Sequence, residues 1–312
     1  MKANAFHRFG GPEVLQPIEL PVPTPAAGEV VVRVAASTVN STDLLMRSGQ
    51  QAGLMKDLLP PYIAGMEFAG RVHAVGSGVQ RLGVGQPVMG IVNPRRPQGG
   101  AHAEYICVPE ASLAPLPEGS DLVAAATVPM NGLTARMSLE VLGLAPGATL
   151  LVTGGAGAVG GYVIALAKQA GLRVVADAKD SDRELVRSLG AEHVVPRGDG
   201  MAAAVRERHP EGVDAVVDTA LLGDAAAALV RAGGSFVSLR RSQVLADQRL
   251  RRATISVLDE ATNTAALEWL AQRFTDGTLK PRIAQQLPAE RAAEAHRLLE
   301  QGGLRGRVVL VF

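Results

Sequence analysis

The hydrophobic pattern divides the chain into a β-rich first part and a later part in which apolar strands alternate with helices. Residues 29–36 (EVVVRVAA) and 70–75 (GRVHAV) predict strands between Pro- and Gly-rich turns, and residues 43–47 predict the start of a short helix. From about Asp121 the alternation of strand and helix predicts a parallel sheet that is covered on both faces.

The later part carries a regular series of predicted elements. The predicted strands are 148–152, 173–176, 193–195, 215–217 and 235–239, and the helices between them include 182–189 and 224–232. Beyond them we predict a strand at 253–258, helices at 263–274 and 289–300, and a closing strand at 307–312.

A glycine-rich segment follows the first strand of this series. Residues 154–160 read GGAGAVG, and a helix-like segment follows them at 162–170. Glycines between a strand and a helix let a pyrophosphate approach the backbone, and the free N–H groups at the helix start face its charge. We therefore expect a dinucleotide to contact Gly154, Gly157, Ala158, Val159 and Gly160. An ordinary glycine-rich turn is the alternative.

Composition narrows the functional classes. The chain has 312 residues, 47% of them hydrophobic, and a formal net charge of +1, so nucleic acid or an anionic membrane is not expected as the main partner. Cys107 stands alone, which excludes an internal disulfide and a multi-cysteine metal site. No signal-peptide core or long apolar span is found, and we expect a cytoplasmic protein.

Several segments together resemble the medium-chain dehydrogenase/reductase superfamily, in its zinc-free quinone oxidoreductase (ζ-crystallin-like) branch. The segments that carry the resemblance are 39–49 (VNSTDLLMRSG), 65–70 (GMEFAG), 100–105 (GAHAEY), 132–135 (GLTA), the glycine-rich segment, 187–191 (RSLGA) and 306–310 (GRVVL). They run from one end of the chain to the other.

The resemblance implies an α/β fold with two domains. Residues 1–120 are expected to form a GroES-like β-barrel catalytic domain, residues 121–260 a doubly wound Rossmann domain that binds NADPH, and residues 261–312 a return to the catalytic domain. The family places its active site in the cleft between the domains. It also commonly forms a homodimer by pairing an edge strand, for which residues 253–258 stand at the corresponding place.

The resemblance also bears on zinc. Zinc-dependent relatives carry a cysteine and a His-Glu pair where this chain has Asn40 and Met66-Glu67. An amide and a thioether are poor zinc ligands, and Glu67 alone cannot build a tetrahedral site. We therefore expect no metal, and we expect Glu67 to have a structural hydrogen-bonding partner rather than a catalytic role.

The second strand of the nucleotide-binding unit bears on the choice of cofactor. An NAD-binding carboxylate would align with Ala178, and the one-residue offset should turn Asp177 away from the ribose. Lys179 and Arg183 are suited to a 2′-phosphate, and the resemblance implies that Arg183 and Arg197 stand where bacterial quinone reductases contact that phosphate, which favours NADPH. The alternative is that these cations are solvated and that Asp177 binds the ribose of NADH.

Candidate catalytic residues come from the resemblance. Asn40 is expected beside the nicotinamide and the substrate carbonyl, where its N–H could polarise the oxygen. Thr42 matches a hydroxyl relay, although both residues could simply cap a helix near Asp43. Because a tyrosine of some relatives is Leu45 here, Tyr62 or water is the candidate proton donor, with a packed loop aromatic as the other interpretation of Tyr62.

Three further residues complete the expected cofactor site. Thr134 matches a threonine that approaches the cofactor in the family, although helix packing would also explain it. Thr219 and Ser238 are predicted cofactor contacts as well.

Together these features predict a zinc-independent, NADPH-dependent reductase that transfers hydride to a quinone or an α,β-unsaturated carbonyl. The expected partners are this small-molecule substrate and a second copy of the chain. The alternative is a non-catalytic NADPH-binding dimer with a structural or redox-sensing role.

Overall fold

The computed structural model describes residues 1–240 and 246–312, which form two compact units. The first unit comprises residues 1–130 and 258–312, and the second comprises residues 131–257.

The strands are β1 (Lys2–Phe6), β2 (Gln16–Glu19), β3 (Glu29–Thr38), β4 (Tyr62–Ile63), β5 (Glu67–Val75), β6 (Pro87–Ile91), β7 (Tyr105–Pro109), β8 (Leu113–Pro115), β9 (Thr149–Thr153), β10 (Arg173–Ala178), β11 (His193–Pro196), β12 (Val213–Asp218), β13 (Val230–Ser238), β14 (Arg251–Thr254), β15 (Ile283–Pro288) and β16 (Arg307–Val311). The helices are α1 (Ser41–Arg47), α2 (Leu122–Ala125), α3 (Pro129–Leu142), α4 (Ala158–Gln169), α5 (Arg183–Leu189), α6 (Met201–Arg208), α7 (Asp224–Ala227), α8 (Thr264–Thr275) and α9 (Ala292–Gln301).

The first unit is built on a largely antiparallel sheet with the order β15-β16-β3-β5-β6-β8, and β7 also pairs with β3. Alternate residues of β3, among them Val30, Val32 and Val34, are buried with Phe68 and Leu113 in one hydrophobic cluster. The return of β16 beside β3 brings residues from the end of the chain next to the start of α1.

The second unit is a parallel sheet with the order β11-β10-β9-β12-β13-β14. Its first strand in the chain, β9, is central, and the strand order reverses between β9 and β12. Such a reversal opens a crevice at the carboxyl ends of the strands, where ligands bind in doubly wound sheets. The predicted mixed α/β fold class is confirmed.

Several predicted elements differ from the observed ones in their bounds, and two of them were wrong at their ends in a way that changes the element. The helix predicted at 224–232 ends at Ala227, because the chain enters β13 at Val230. The strand predicted at 253–258 lies at Arg251–Thr254, and a 3-10 turn occupies Val257–Glu260.

Within the described part of the chain, no helix is long and apolar enough to cross a membrane.

Candidate functional site

The glycine-rich segment forms a tight turn between β9 and α4. Gly154 has a φ of +70°, which a residue with a side chain rarely adopts, and its carbonyl accepts a hydrogen bond from the Gly157 N–H at 2.8 Å. A Cβ on Gly160 would lie 2.3 Å from the Gly154 carbonyl oxygen. Glycine at both positions therefore lets α4 begin directly against the turn, with its first N–H groups at the carboxyl edge of the sheet.

Polar residues at the ends of β9 and β12 form hydrogen bonds next to this turn. The Thr153 hydroxyl donates to Asp218 Oδ1 at 2.6 Å, and the Thr219 hydroxyl donates to the Thr153 carbonyl at 2.5 Å. The buried Asp218 carboxylate also accepts the N–H groups of Leu222 and Gly223. Sequence reasoning missed Asp218, although its place at the end of a buried strand was a usable signal.

The carboxylate of Asp177 accepts a hydrogen bond from the same turn. Asp177 is the second-last residue of β10, it is buried, and its Oδ1 accepts a hydrogen bond from the Gly154 N–H. Burial raises the pKa of the Asp177 carboxyl above its ordinary value, whereas the Gly154 N–H and the Arg197 charge act in the opposite direction. Asp177 thus holds the glycine turn in place.

The three predicted cations stand at one edge of the sheet. Lys179 directly follows β10, Arg183 begins α5, and Arg197 directly follows the neighbouring parallel strand β11, with its N–H donating to the Ala178 carbonyl at 3.1 Å. Lys179 and Arg197 are exposed. The Arg183 guanidinium is half-buried, donates to the Val194 carbonyl at 2.9 Å and lies 3.6 Å from Asp180.

The other predicted cofactor residues, Thr134, Thr219 and Ser238, lie in different surroundings. Ser238 ends β13, and its hydroxyl donates to the Arg240 carbonyl at 2.9 Å. Thr134 is buried within α3, where its carbonyl accepts the Ser138 hydroxyl. Thr219 and Ser238 therefore lie at the carboxyl edge of the parallel sheet, whereas Thr134 lies inside a helix.

A buried polar network surrounds Glu67 in the first unit. Its Oε1 accepts hydrogen bonds from the Thr38 hydroxyl at 2.5 Å, the Asn40 amide at 3.1 Å and Arg307 Nη2 at 2.7 Å. Its Oε2 accepts the Met130 N–H at 2.8 Å. Glu67 is fully buried, and the Arg307 side chain is 11% exposed, so the ion pair is largely withdrawn from solvent.

Asn40 is locked into this network. Its side-chain nitrogen donates to Glu67 and to Thr38, and its Oδ1 accepts from Arg307 at 2.5 Å. Its backbone N–H, at the N-cap of α1, donates to Asp43 at 2.7 Å. Because both amide hydrogens have partners, Asn40 orients Arg307 and Glu67 here and has no free N–H for a carbonyl.

The other two catalytic candidates lie in different settings. The Thr42 hydroxyl donates to the Met66 sulfur at 3.1 Å, a weak acceptor. The Tyr62 hydroxyl donates to the Leu58 carbonyl at 3.1 Å, and its ring stacks on Phe9 with centroids 5.7 Å apart. Among the described residues, no hydrogen bond joins Tyr62 to Asn40 or Thr42.

Arg307 is the charged member of the network that sequence reasoning missed. The segment 306–310 carries the family resemblance, but the positive charge at Arg307 was given no role. Its Nε is buried and has no hydrogen-bond partner among the described residues. The network therefore contains a buried N–H donor that makes no hydrogen bond to any described residue.

A second buried group of charged side chains adjoins α1. Arg47 donates to the Gly10 carbonyl at 3.1 Å, lies 3.3 Å from His296 Nδ1 and pairs with Glu300. The His296 and His102 rings meet edge to face at 5.9 Å. Burial lowers the pKa of the His296 imidazole well below its ordinary value, and the charges of His102 and Arg47 add to this.

The residues around Glu67 do not fit a zinc ion. The Glu67 carboxylate already accepts four hydrogen bonds, and Asn40 and Met66 offer no anionic or imidazole ligand. In residues 1–240 and 246–312, no group of three or more His, Cys, Asp or Glu side chains could hold a metal. The turn before α4, in contrast, has the open backbone and helix start that a pyrophosphate requires.

Known proteins are similar to this chain in sequence and in fold. The family models that match are "Alcohol dehydrogenase GroES-like domain" over residues 26–118 and "Zinc-binding dehydrogenase" over residues 189–310. An NADPH-dependent alkenal/one oxidoreductase from chloroplasts of Arabidopsis thaliana is 31% identical over 319 residues, which cover 99% of this chain and 79% of that protein.

Solved structures extend the likeness to the whole chain. The quinone oxidoreductase from Coxiella burnetii matches with a TM-score of 0.89 and 29% identity, covering 100% of this chain and 99% of that one. A mycobacterial protein complexed with NADPH matches with a TM-score of 0.84 and 27% identity, covering 100% of both chains. This chain belongs to the medium-chain dehydrogenase/reductase superfamily, a family of nicotinamide-dinucleotide-binding oxidoreductases, and its relatives are quinone and alkenal oxidoreductases.

Proposed function

We propose that this protein is a zinc-independent, NADPH-dependent reductase of quinones or α,β-unsaturated carbonyls. The observation that carries the proposal is the bonding of Glu67, whose carboxylate is committed to Arg307, Thr38, Asn40 and the Met130 N–H. A donor set of this kind offers no Lewis acid to stabilise an alkoxide. It suits an acceptor that is already electron-poor, as a quinone or a conjugated carbonyl is.

The turn before α4 would hold the dinucleotide. The backbone at Gly154 and Gly157 and the first N–H groups of α4, from Ala158 to Gly160, suit the pyrophosphate. NADPH, when bound, supplies the hydride. The protein contributes the binding, the orientation and the surrounding charges.

The surroundings of β10 support NADPH over NADH. Asp177 Oδ1 is bonded to the Gly154 N–H, and the last residue of β10 is Ala178, so among the described residues that last position offers no carboxylate to the ribose hydroxyls. Lys179, Arg183 and Arg197 form a cationic edge that suits a 2′-phosphate. The relative from Arabidopsis thaliana and the mycobacterial complex, both associated with NADPH by name, support the same choice.

The residues of the first unit would serve the acceptor. We assign Asn40 and Glu67 to holding the Arg307 guanidinium, whose buried Nε–H has no partner among the described residues and would serve an oxygen of the acceptor. Thr42 is the side chain suited to pass on a proton, because its present acceptor, the Met66 sulfur, is a weak one. We give no role in proton transfer to Tyr62, whose hydroxyl is engaged by Leu58.

Stopped-flow measurement of NADPH absorbance with a panel of quinones and enones tests the proposal. The protein is first dialysed against a chelator, and its residual zinc is measured. We expect NADPH to be consumed with at least one acceptor, and we expect Thr42→Val to lower kcat more than it changes the KM for NADPH. Tight NADPH binding with no turnover of any acceptor would contradict the proposal and support a non-catalytic dinucleotide-binding protein.

A further inference from the structure

Two consecutive arginines stand in a loop that leaves the network of Glu67. This loop, residues 93–98 (NPRRPQ), follows β6, whose last residue pairs with Glu67. The Val92 N–H donates to the Met66 carbonyl at 2.7 Å. On its far side the chain returns to the same segment, since the Gly100 N–H donates to the Ile63 carbonyl and the Ala101 N–H to the Gly65 carbonyl. Residues 93–98 are therefore held at both ends against the stretch that carries Met66 and Glu67.

The loop is shaped so that Arg95 has a defined position. The Arg95 N–H donates to Asn93 Oδ1 at 3.0 Å, and the flanking Pro94 and Pro97 restrict the backbone. The Arg95 guanidinium donates to Gln51 Oε1 at 2.8 Å. Gln51 lies in the segment that follows α1, the helix that begins beside Asn40.

Arg95 is half-buried without a counter-charge. Its only side-chain hydrogen bond goes to a neutral amide, and among the described residues no carboxylate pairs with it. Burial lowers the pKa of the Arg95 guanidinium, and no neighbouring acid offsets this effect. Arginine is rarely withdrawn from water unless it is paired, because the lost hydration must be compensated.

The neighbouring Arg96 differs in this respect. Its Nε donates to the Gly99 carbonyl at 2.9 Å within the same loop. Burial lowers the pKa of Arg96 as well, but the Cys107 and Glu29 side chains act in the opposite direction. Arg96 thus helps to hold the loop, whereas the charge of Arg95 has no counter-charge among the described residues.

We propose that Arg95, positioned by Gln51, binds an anionic group carried by the acceptor, so that the physiological acceptor is an acidic conjugated carbonyl rather than a neutral one. This inference rests on the proposed reductase function and specifies its substrate class. Guanidinium geometry suits both a carboxylate and a phosphate, through two parallel hydrogen bonds. Arg95 is here a specificity residue and takes no part in hydride or proton transfer.

Two pairs of acceptors distinguish the sources of the anion. The first pair is an enone that carries a carboxylate and the methyl ester of the same compound. The second is an enoyl thioester of coenzyme A, which carries phosphates, and the same acyl group on N-acetylcysteamine, which carries none. The kcat/KM of each is measured for the wild type, Arg95→Gln, Arg95→Lys and Gln51→Leu, with Arg33→Gln as the control because Arg33 is an exposed arginine of β3.

We expect the wild type to prefer the charged member of one pair, and that pair names the source. Arg95→Gln should remove the preference by raising the KM of the charged acceptor about 10- to 100-fold, the value of a charge-assisted hydrogen bond. The neutral acceptor and the KM for NADPH should not change. The preference of Arg95→Lys and of Gln51→Leu for the charged acceptor should lie between that of the wild type and that of Arg95→Gln. Arg33→Gln should match the wild type.

Three results would overturn the inference: no preference for either charged acceptor in the wild type, an equal loss for charged and neutral acceptors in Arg95→Gln, or a raised KM for NADPH in that variant. Calorimetric binding of the saturated forms of both charged acceptors to the wild type and Arg95→Gln needs no turnover. The difference in binding affinity between the wild type and Arg95→Gln therefore tests the role of Arg95 even if the protein reduces none of these acceptors. Thermal unfolding shows whether each variant is folded.

Discussion

Arg307 Nη2 lies 2.7 Å from Glu67 Oε1 although 240 residues of chain separate the two. The pairing joins the last strand of the chain, β16, to the start of β5 through β3, on which Thr38 supplies a further hydroxyl. A buried carboxylate next to Asn40 is thereby paired with a guanidinium.

Removing Arg307 should destabilise the first unit, because Glu67 would remain buried and unpaired. We expect Arg307→Met to lower the free energy of unfolding by about 3–5 kcal/mol, as measured by urea denaturation. The double variant Arg307→Met with Glu67→Gln removes the stranded charge and should recover most of the loss. An equal loss in the single and double variants would contradict this account of the pair.

The cationic edge should act on NADPH alone. Replacing Arg183 and Arg197 by Gln should raise the KM for NADPH about 10- to 100-fold and leave the KM for NADH unchanged, because only NADPH carries a 2′-phosphate. Arg187→Gln is the matched control, since Arg187 lies on the same helix and is exposed. A parallel loss for both cofactors, measured by steady-state kinetics, would contradict the assignment.

Asp177 should behave differently from these cations. Because its carboxylate accepts the Gly154 N–H, Asp177→Asn should weaken the glycine turn and the binding of both cofactors by the same factor. Calorimetric titration with NADH and NADPH measures this factor. A selective loss of NADH binding would instead indicate that Asp177 contacts the ribose.

The buried His296 should make stability depend on pH. Its folded pKa lies below the ordinary value of 6.5, so the unfolded chain takes up the proton first as the pH falls. Stability contributed by neutral His296 is complete above pH 6.5 and is lost progressively below it, down to the folded pKa.

His296→Gln should flatten this dependence. The slope of the unfolding free energy against pH, just below pH 6.5, should fall by up to about 1.4 kcal/mol per pH unit, the effect of one proton. Asp43, whose pKa burial raises above 3.8, acts with the opposite sign and is present in both proteins, so the comparison cancels it. An unchanged slope, from denaturation at several pH values, would contradict the prediction.

We propose that β14 is the homodimer edge. The Ile255 N–H donates inward to the Ser238 carbonyl at 3.1 Å, so the alternation of the backbone turns the Thr254 N–H outward. Thr254→Pro should therefore give a monomer without breaking the pairing with β13, whereas Thr254→Val should stay dimeric. Light scattering after size-exclusion chromatography distinguishes the two, and a monomeric wild type would contradict the proposal.

Local patterns predicted much of the fold. The glycine turn at 154–160 could be predicted because its geometry depends on adjacent residues, and strands β9 to β13 could be predicted because each contains a short apolar run. The helix predicted at 224–232 was too long, since its alanine-rich start has helical propensity whereas Val230 pairs in a sheet. The strand predicted at 253–258 lies instead at Arg251–Thr254, because no local pattern marks its first residue.

The site was less accessible to sequence reasoning. The partners of Glu67 come from Thr38, Met130 and Arg307, which no local pattern connects. The side-chain bonding of Asn40 likewise depends on Arg307, so its N–H could not be known to be engaged. Tyr62 was ambiguous for the same reason, since its stacking partner Phe9 precedes it by many residues.

Isotope transfer from NADPH distinguishes a zinc-independent reductase from a zinc-dependent or non-catalytic protein. Protein that has been freed of zinc, with its zinc content measured, is given an enone and NADPH carrying deuterium at the transferable position of the nicotinamide. We expect the product to carry the deuterium on its β-carbon, at a rate that added zinc does not raise. Deuterium that stays on the cofactor with every acceptor, or transfer only after zinc is restored, would contradict this expectation.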